Sequence, residues 1–296
     1  MPIAHEFEYA KPASLDEAVA VLTERGEGAR VLAGGTDVVA QLRDDIISPD
    51  ILVDIKGIEG LSDIRLAGDR LLLGPLVTFT DLIESDVIRE SFPLFYEMAV
   101  QVASKGVRNR ATVVGNICSA VPSCDGGPIL LVHDAHVLLL NSGGERTVPI
   151  GEWFTGPKKS DLRTGELVVG LEMSAAASAC AGSFVKLGRY QGEDLAQASV
   201  AILVSPDYEY RVAFGAVGPT PVRARKLESA IRGQEPSDEM LEIARKAISR
   251  ETSPITDIRA TAEYRKHMLE VMLERGIRAA VARLNGTGSE YGTRHI

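Results

Sequence analysis

Two short stretches rich in glycine and small polar residues offer backbone groups that could hold an anion. The first is Gly34-Gly35-Thr36-Asp37, which follows the apolar run of residues 30–32 and precedes a helical pattern at residues 38–43. The second, Thr112-Val113-Val114-Gly115-Asn116, repeats this design after another predicted strand. Glycines at a strand-to-helix turn permit positive φ and expose N–H groups, which is the usual basis for holding a pyrophosphate. Most such turns bind nothing, so either stretch alone is a weak indication.

Asp125 is a third candidate, because it lies in a segment of small residues, Pro122 to Pro128. A carboxylate there could accept hydrogen bonds from the hydroxyls of a sugar or polyol. It could equally form an Asx-type turn at the start of a helix after Pro128. Composition alone does not decide between these two readings.

A metal or iron–sulfur site is the alternative that cysteines and histidines suggest. His133 and His136 are three residues apart and follow Cys118 and Cys124, and both residue types are common metal ligands. The spacing matches no cluster motif, and small buried cysteines are frequent in protein cores. No Ser-His-Asp, His-Glu-x-x-His or Cys-x-x-Cys pattern is present either. We therefore predict no metal site.

Secondary-structure patterns divide the chain into three parts. In the first, residues 1–57, Ser14 caps a helix that Gly26 and Gly28 end, and residues 51–55 form an alternating strand. The second part is predicted to contain a hairpin (64–67 and 70–73), helices at 80–84 and 93–102, a loop from Cys118 to Pro128, a hairpin with a longer turn (137–140 and 146–149) and a strand at 166–173.

The third part follows an Ala- and Ser-rich stretch, residues 174–181, which has little patterning and is typical of a linker. Its predicted elements are a strand at 211–217 and helices near 237–248 and 260–284. Residues 286–296 contain few apolar side chains, so we expect a frayed tail.

The overall composition argues against several classes of partner. The formal net charge is −9 over 296 residues, whereas nucleic acids and anionic membranes require a basic face. No apolar run reaches the length of a membrane span. Residues 1–10 carry Glu6 and Glu8 and lack the pattern of a signal peptide. Three cysteines, an odd number, fit a reduced compartment, so we expect a cytoplasmic protein.

Taken in order, the three stretches resemble the FAD signatures of the medium, flavin-binding subunits of molybdenum hydroxylases, the family of xanthine dehydrogenase and carbon monoxide dehydrogenase. The resemblance continues through Phe184-Val185-Lys186-Leu187-Gly188-Arg189 with residues 194–196, then residues 215–224, Asp257-Ile258-Arg259 and Tyr264-Arg265. It covers nearly the whole chain. This ordered set is far more specific than a single glycine turn.

The resemblance implies an α+β fold, with a two-part FAD-binding domain of the vanillyl-alcohol-oxidase (PCMH) type followed by a C-terminal α+β domain. The domains would span residues 1–175, in subdomains 1–57 and 58–175, and residues 180–296. The cofactor-binding residues that it implies are Leu32, Ala33, Gly34, Gly35, Thr36, Asp37, Val102, Thr112, Gly115, Asn116, Asp125, Val168 and Lys186.

The resemblance also implies a role for each of these residues. The loops at 32–37 and 112–116 would cradle the pyrophosphate, and Asp125 would hold ribityl or ribose hydroxyls. Val102 and Val168 would line the flavin pocket. Lys186 would reach the flavin from the C-terminal domain, where a cation would stabilise negative charge on the ring.

The function implied is that of an electron-transfer subunit with no catalytic acid or base of its own. A large subunit with a molybdenum cofactor would oxidise the substrate, and a small subunit would pass electrons through [2Fe–2S] clusters to this FAD. The three would form a heterotrimer or its dimer. The acceptor could be NAD, oxygen, a quinone or a ferredoxin. Two alternatives are a self-sufficient flavin oxidase or dehydrogenase of the same fold, and a non-catalytic scaffold that has lost FAD.

Two departures from the family pattern bear on the site. Val114 stands where the family usually has a glycine, and a β-branched residue disfavours positive φ and adds bulk beside a ligand. We therefore expect either a tolerant loop or altered FAD binding. The cysteine-rich insertion that holds an extra iron–sulfur cluster in one branch of the family is not present, so we predict no cluster in this chain.

Overall fold

The computed structural model of the chain describes residues 3, 5–190 and 194–296. Met1, Pro2 and Ala4, on which the signal-peptide expectation partly rests, lie outside the described residues. The helices are α1 (Leu15–Arg25), α2 (Val38–Arg43), α3 (Phe79–Glu84), α4 (Asp86–Ser91), α5 (Pro93–Ala99), α6 (Lys105–Arg108), α7 (Val113–Ser119), α8 (Gly126–Val132), α9 (Ile150–Trp153), α10 (Arg225–Ile231), α11 (Asp238–Ile248) and α12 (Ala262–Leu284).

The strands are β1 (Glu8–Ala10), β2 (Ala29–Leu32), β3 (Ile51–Asp54), β4 (Ile64–Ala67), β5 (Arg70–Leu73), β6 (His136–Asn141), β7 (Gly144–Pro149), β8 (Phe154–Gly156), β9 (Lys159–Ser160), β10 (Leu167–Ser174), β11 (Ala181–Leu187), β12 (Ala198–Val204), β13 (Tyr210–Gly215) and β14 (Val222–Arg223). Helices and strands occur in every part of the described chain, so the α+β class is confirmed.

The first unit is a parallel sheet of order β1-β3-β2 covered by α1. Ser14 caps α1 as predicted, since its side chain accepts a hydrogen bond from the N–H of Glu17. The alternating pattern predicted for residues 51–55 is wrong, because all four residues of β3 are buried. A central parallel strand is covered on both faces and therefore has no solvent side.

The second unit is an antiparallel sheet of order β4-β5-β10-β6-β7 with helices packed against it. Its core contains the fully buried rings of Phe79, Phe92, Phe95 and Trp153. The turn of the second hairpin is shorter than predicted, because Asn141 pairs with Gly144 and leaves two residues between the strands. The Asn141 side chain stabilises this turn by accepting from the N–H of Gly143 at 2.7 Å.

Both ends of the segment predicted as a loop from Cys118 to Pro128 are helical. Helix α7 continues to Ser119, where Ala120 ends it with a positive φ of 45°. Helix α8 already begins at Gly126 and thus includes Pro128, which is tolerated in the first turn. The true loop is therefore residues 120–125, and it ends at Asp125.

The third unit is an antiparallel sheet of order β11-β12-β13-β14 with helices α10 to α12 on one face. Its other face packs against α5 and α8 of the second unit. Alternate residues of the strands belong to two different cores. Phe184, Ala201 and Leu203 join the core of the second unit, whereas Val185, Val200 and Ile202 join the core under α12. Both faces of this sheet are therefore buried.

The expectation of a frayed tail at residues 286–296 is wrong. The Gly292 N–H donates to the Glu97 carboxylate at 2.9 Å, and the Tyr291 hydroxyl accepts from the N–H of Gly182 at 2.9 Å. Few apolar residues are needed here, because hydrogen bonds to buried groups hold the segment in place.

Helix α12, with 23 residues, is the longest in the described part of the chain. Within that part, no helix combines the length and the apolar character needed to cross a membrane.

Burial of His133 makes the stability of the fold depend on pH. The ring is 3% exposed, contacts the carbonyl of Ile129 through Nδ1 at 2.8 Å and lies 4.9 Å from the ring of Phe95. Burial lowers the pKa of His133 from 6.5 to about 4. The unfolded chain therefore binds a proton between these values and the folded chain does not.

We expect His133 to lower the free energy of unfolding as the pH falls below 6.5, by about 1.4 kcal/mol per pH unit down to pH 4. Above pH 6.5 the residue has no such effect. Urea unfolding at pH 7.5 and 5.5 measures this loss, which should shrink in His133→Gln. The exposed residue His267 provides the control His267→Gln. An equal pH dependence in all three proteins would contradict the assignment.

Candidate functional site

The first glycine turn connects β2 to α2 and leaves backbone donors available. Gly35 has a φ of +81°, which a residue with a side chain rarely adopts. The N–H groups of Gly34, Gly35 and Thr36 donate to no other residue that the structure describes. Such a group of unpaired amides is suited to an anion.

Gly34 also brings the two predicted stretches together. A Cβ on Gly34 would lie 1.8 Å from the carbonyl oxygen of Arg110 and 3.3 Å from the Cα of Ala111. Asp37 adds a second connection, because its carboxylate accepts from the hydroxyl of Ser119 at the end of α7. The two stretches therefore form one continuous surface.

The second stretch differs from the first and is the capped start of a helix. Thr112 caps α7 by accepting from the N–H of Gly115 at 2.9 Å, and both Gly115 and Asn116 lie inside the helix. The strand predicted before this stretch is wrong. Residues 105–108 form α6, and Thr112 makes only an isolated bridge to Thr78.

Val114 does not strain the second stretch. It is 6% exposed and lies within α7, and its φ is not positive. The conformational objection to a β-branched residue at this position therefore does not apply. The remaining effect of Val114 is its bulk beside the helix start.

Three basic side chains lie beside the first turn. They belong to Arg43, Lys56 and Arg110, and together with the turn they line a cleft of about 480 Å³. Lys56 is held in place by Asp54 at 2.7 Å and by the carbonyl of Ala33 at 3.3 Å. A cluster of cations in a chain of net charge −9 favours an anionic ligand at this cleft.

These three basic residues were missed in the sequence. Lys56 carried a usable signal, because it comes two residues after β3, which is parallel to β2 in the sheet. The carboxyl ends of neighbouring parallel strands meet at one edge, so Lys56 lies near the turn after β2.

Asp125 and Lys186 form a buried ion pair next to the second stretch. Their side chains are 8% and 7% exposed, and Lys186 Nζ donates to Asp125 Oδ2 at 2.7 Å. The backbone N–H of the next residue, Gly126, donates to Asn116 Oδ1 at 3.0 Å. This bond places Asp125 directly beside α7.

One oxygen of Asp125 lacks a partner among the described residues. Oδ1 is buried and accepts no hydrogen bond there. Burial raises the pKa of the Asp125 carboxyl, and the charge of Lys186 opposes that rise. A buried carboxylate oxygen without a donor is unfavourable. Ligand hydroxyls at this position would satisfy it, so the residues present fit the sugar or ribityl part of FAD.

Lys186 reaches this position because of its place on β11. It lies two residues after Phe184, which packs into the core of the second unit, and thus on the same face of the strand. Its Nζ also donates to the carbonyl of Gln101 at 3.1 Å. Val102, the next residue, is 6% exposed and belongs to the same core.

Val168 lies on the second sheet, whereas Lys186 lies on the third. It is a buried residue of β10, the strand of the second sheet against which α7 packs. It shares a hydrophobic core with Val102 and Val114. The other implied residues are joined by the contacts described above, from Gly34 through Thr112 and Asn116 to Asp125 and Lys186.

In the part of the chain that the structure describes, no three side chains of the His, Cys, Asp or Glu type come together as potential metal ligands. Burial raises the pKa values of Cys118 and Cys124 to about 12. Both side chains are therefore protonated thiols at neutral pH.

Two family models match the chain. One, described as the FAD binding domain in molybdopterin dehydrogenase, matches residues 5–173. The other, described as the CO dehydrogenase flavoprotein C-terminal domain, matches residues 183–280.

Curated relatives match over nearly their whole length. The chain is 32% identical to the carbon monoxide dehydrogenase medium chain of Hydrogenophaga pseudoflava, over 95% of this chain and 99% of the relative. It is 31% identical to the xanthine dehydrogenase FAD-binding subunit of Escherichia coli O157:H7, over 94% of this chain and 97% of the relative.

The fold matches a solved structure equally well. A chain of the carbon monoxide dehydrogenase from Hydrogenophaga pseudoflava, in a form lacking the Mo-pyranopterin moiety of the molybdenum cofactor, superimposes with a TM-score of 0.91. The match covers 96% of this chain and 99% of that chain at 32% identity.

The contact between Gly34 and Arg110 can be tested by adding a single methyl group. We expect Gly34→Ala to destabilise the protein by about 1–3 kcal/mol, because the loops must separate to admit the Cβ. The control is Gly151→Ala, where a Cβ meets nothing within 4 Å. Thermal unfolding compares the two, and bound cofactor is measured in parallel. Equal melting temperatures for the two variants would contradict the close approach of the two stretches.

Proposed function

This chain belongs to the FAD-binding subunits of molybdenum hydroxylases such as carbon monoxide dehydrogenase and xanthine dehydrogenase, and from that membership we propose that it is the electron-transfer subunit of such a complex. Electrons would arrive from [2Fe–2S] clusters on a partner subunit and leave through FAD to an external acceptor. FAD supplies the redox chemistry, and the chain holds it, orients it and sets its electrostatic surroundings.

The observation that carries this proposal is that Asp125 Oδ1, beside the capped start of α7, is buried and has no hydrogen-bond partner among the described residues. The buried pair with Lys186 holds the carboxylate in place and leaves Oδ1 for a ligand. This arrangement suits a ligand that brings hydroxyl groups next to an anion-binding turn, as FAD does.

We assign the same roles to the site residues as the resemblance implies. The loops at 32–37 and 112–116 would cradle the pyrophosphate. The unpaired amides of the first loop would donate to it, and Lys56 and Arg110 would add positive charge at the cleft. Asp125 would accept from ribityl or ribose hydroxyls. Val102 and Val168 would exclude water from the flavin, and Lys186 would present its ammonium group to it.

The proposed domain division is residues 1–175, with subdomains 1–57 and 58–175, and residues 180–296. The 3₁₀ turn at Ala175–Ala179 separates β10 of one sheet from β11 of another, which supports a boundary there. The extents of the two family models are consistent with this division.

The partners we propose are a large subunit with the molybdenum cofactor and a small iron–sulfur subunit, assembled as a heterotrimer or its dimer in the cytoplasm. The electrons would leave to an external acceptor such as NAD or oxygen. The names of the relatives, medium chain and FAD-binding subunit, support a place in a larger assembly. They favour this role over that of a self-sufficient oxidase.

The electron-transfer role predicts that the purified chain contains stoichiometric FAD and oxidises no substrate by itself. Flavin absorbance and chemical identification of the released cofactor measure the first property. The second is measured by reduction of the flavin with candidate substrates, with and without the co-expressed partner subunits. Flavin reduction by a substrate in the isolated chain would favour the self-sufficient oxidase, and a chain that takes up no FAD would favour the scaffold.

Substitution of Asp125 tests its role toward FAD. We expect Asp125→Ala to weaken FAD binding by about 10- to 100-fold, the usual effect of losing hydrogen bonds to a charged group. Asp207→Asn is the control, since Asp207 is exposed and distant in sequence from the site. Titration of the apoprotein with FAD gives the dissociation constants. Unchanged FAD affinity in Asp125→Ala would refute the assignment of this residue.

A further inference from the structure

We propose that the buried ion pair of Glu97 and Arg283, closed by residues 287–292, positions Lys186 and Gln101 at the flavin site. Residues 287–292 are called the C-terminal strap below. This inference rests on the proposed function, because it concerns the place where Lys186 would meet FAD. It assigns a role at the site to residues from the far end of the chain.

The Glu97 carboxylate is a junction of four hydrogen bonds. Glu97 lies on α5 and is fully buried. Arg283 donates to its two oxygens at 3.0 and 2.6 Å, the N–H of Phe184 donates at 2.7 Å and the N–H of Gly292 donates at 2.9 Å. The donors come from α12, β11 and the C-terminal strap. A buried charge is stable only with such partners, so these three segments are fixed to α5 together.

A short series of contacts leads from this junction to Lys186. The side chain of Gln101 donates to the carbonyl of Glu97 at 3.1 Å and to that of Phe184 at 3.4 Å. The carbonyl of Gln101 accepts from Lys186 Nζ. These contacts set the position of β11 against the end of α5. A shift of β11 along α5 would move the Lys186 ammonium group relative to Asp125.

The C-terminal strap covers the ion pair from solvent. Arg283 donates to the carbonyls of Ser289 at 2.9 Å and Glu290 at 3.0 Å, and its guanidinium lies 4.1 Å from the centre of the Tyr291 ring. The Tyr291 hydroxyl accepts from the N–H of Gly182, whose carbonyl accepts from Arg283. With water excluded, the pair interacts more strongly and holds its geometry. Loss of the strap would hydrate the pair and loosen β11.

A merely structural role for the pair would change stability without changing the surroundings of bound FAD. The positioning role predicts a change at full FAD occupancy. Removing or displacing a cation near the flavin disfavours the reduced form, so the midpoint potential of bound FAD is the informative readout.

The decisive experiment is a double-mutant cycle on the FAD-loaded chain. It compares a truncation after Gly286, which removes the strap, with a truncation after Gly292, which retains it. Each is made in the wild-type and Lys186→Met backgrounds. We expect the truncation after Gly286 to lower the flavin midpoint potential and to weaken FAD binding on the order of tenfold. Lys186→Met should change both quantities in the same direction. The truncation after Gly292 should have little effect.

If the strap acts through Lys186, its removal has no further effect on the potential in the Lys186→Met background. Additive effects would overturn the proposal, as would an unchanged potential after truncation. Tyr291→Phe, which removes only the hydroxyl that accepts from the N–H of Gly182, is the milder variant for the case in which the truncated chain does not fold. Absence of FAD from the wild-type chain would instead refute the proposed function itself.

Discussion

The buried pair of Lys186 and Asp125 is the interaction on which the site depends. It joins a strand of the third unit to the loop before α8 of the second, and both side chains are less than one-tenth exposed. Removing either partner would leave an uncompensated charge in the interior, which is strongly destabilising. The pair is possible only because the third sheet packs directly on α5 and α8. The site is therefore a product of the contact between two domains.

Local signals in the sequence were sufficient for much of this architecture. Ser14 caps α1 by accepting a hydrogen bond from the residue three positions ahead, so a window of a few residues contains the information. The resemblance to the family was equally informative, because it depends on ordered motifs. Asp125 and Lys186, which it implied, lie 2.7 Å apart.

The features that the sequence did not predict depend on distant contacts. Glu97 accepts hydrogen bonds from Arg283 and Gly292, which follow it by 186 and 195 positions. No local pattern distinguishes it from a solvent-exposed glutamate. The tail was expected to fray because its few apolar residues were the only local signal. The second stretch is a different case, because the decisive signal is local: the Thr112 side chain caps α7 and makes the stretch the start of a helix rather than a glycine turn. For Glu97 and the tail, the partners that decide the conformation lie elsewhere in the fold.

The order of strands in the second sheet has a consequence for how the chain is made. Strand β10 lies at the centre, between β5 and β6, although it is the last of the five in sequence. Arg70 and Glu172, which pair across β5 and β10, are 102 residues apart. During synthesis the two hairpins on either side can form first, but each keeps an unpaired edge until β10 emerges from the ribosome. Open edges and late long-range pairing slow folding and expose a nascent chain to aggregation. Until β10 is made, β5 and β6 therefore each present an open edge to other chains.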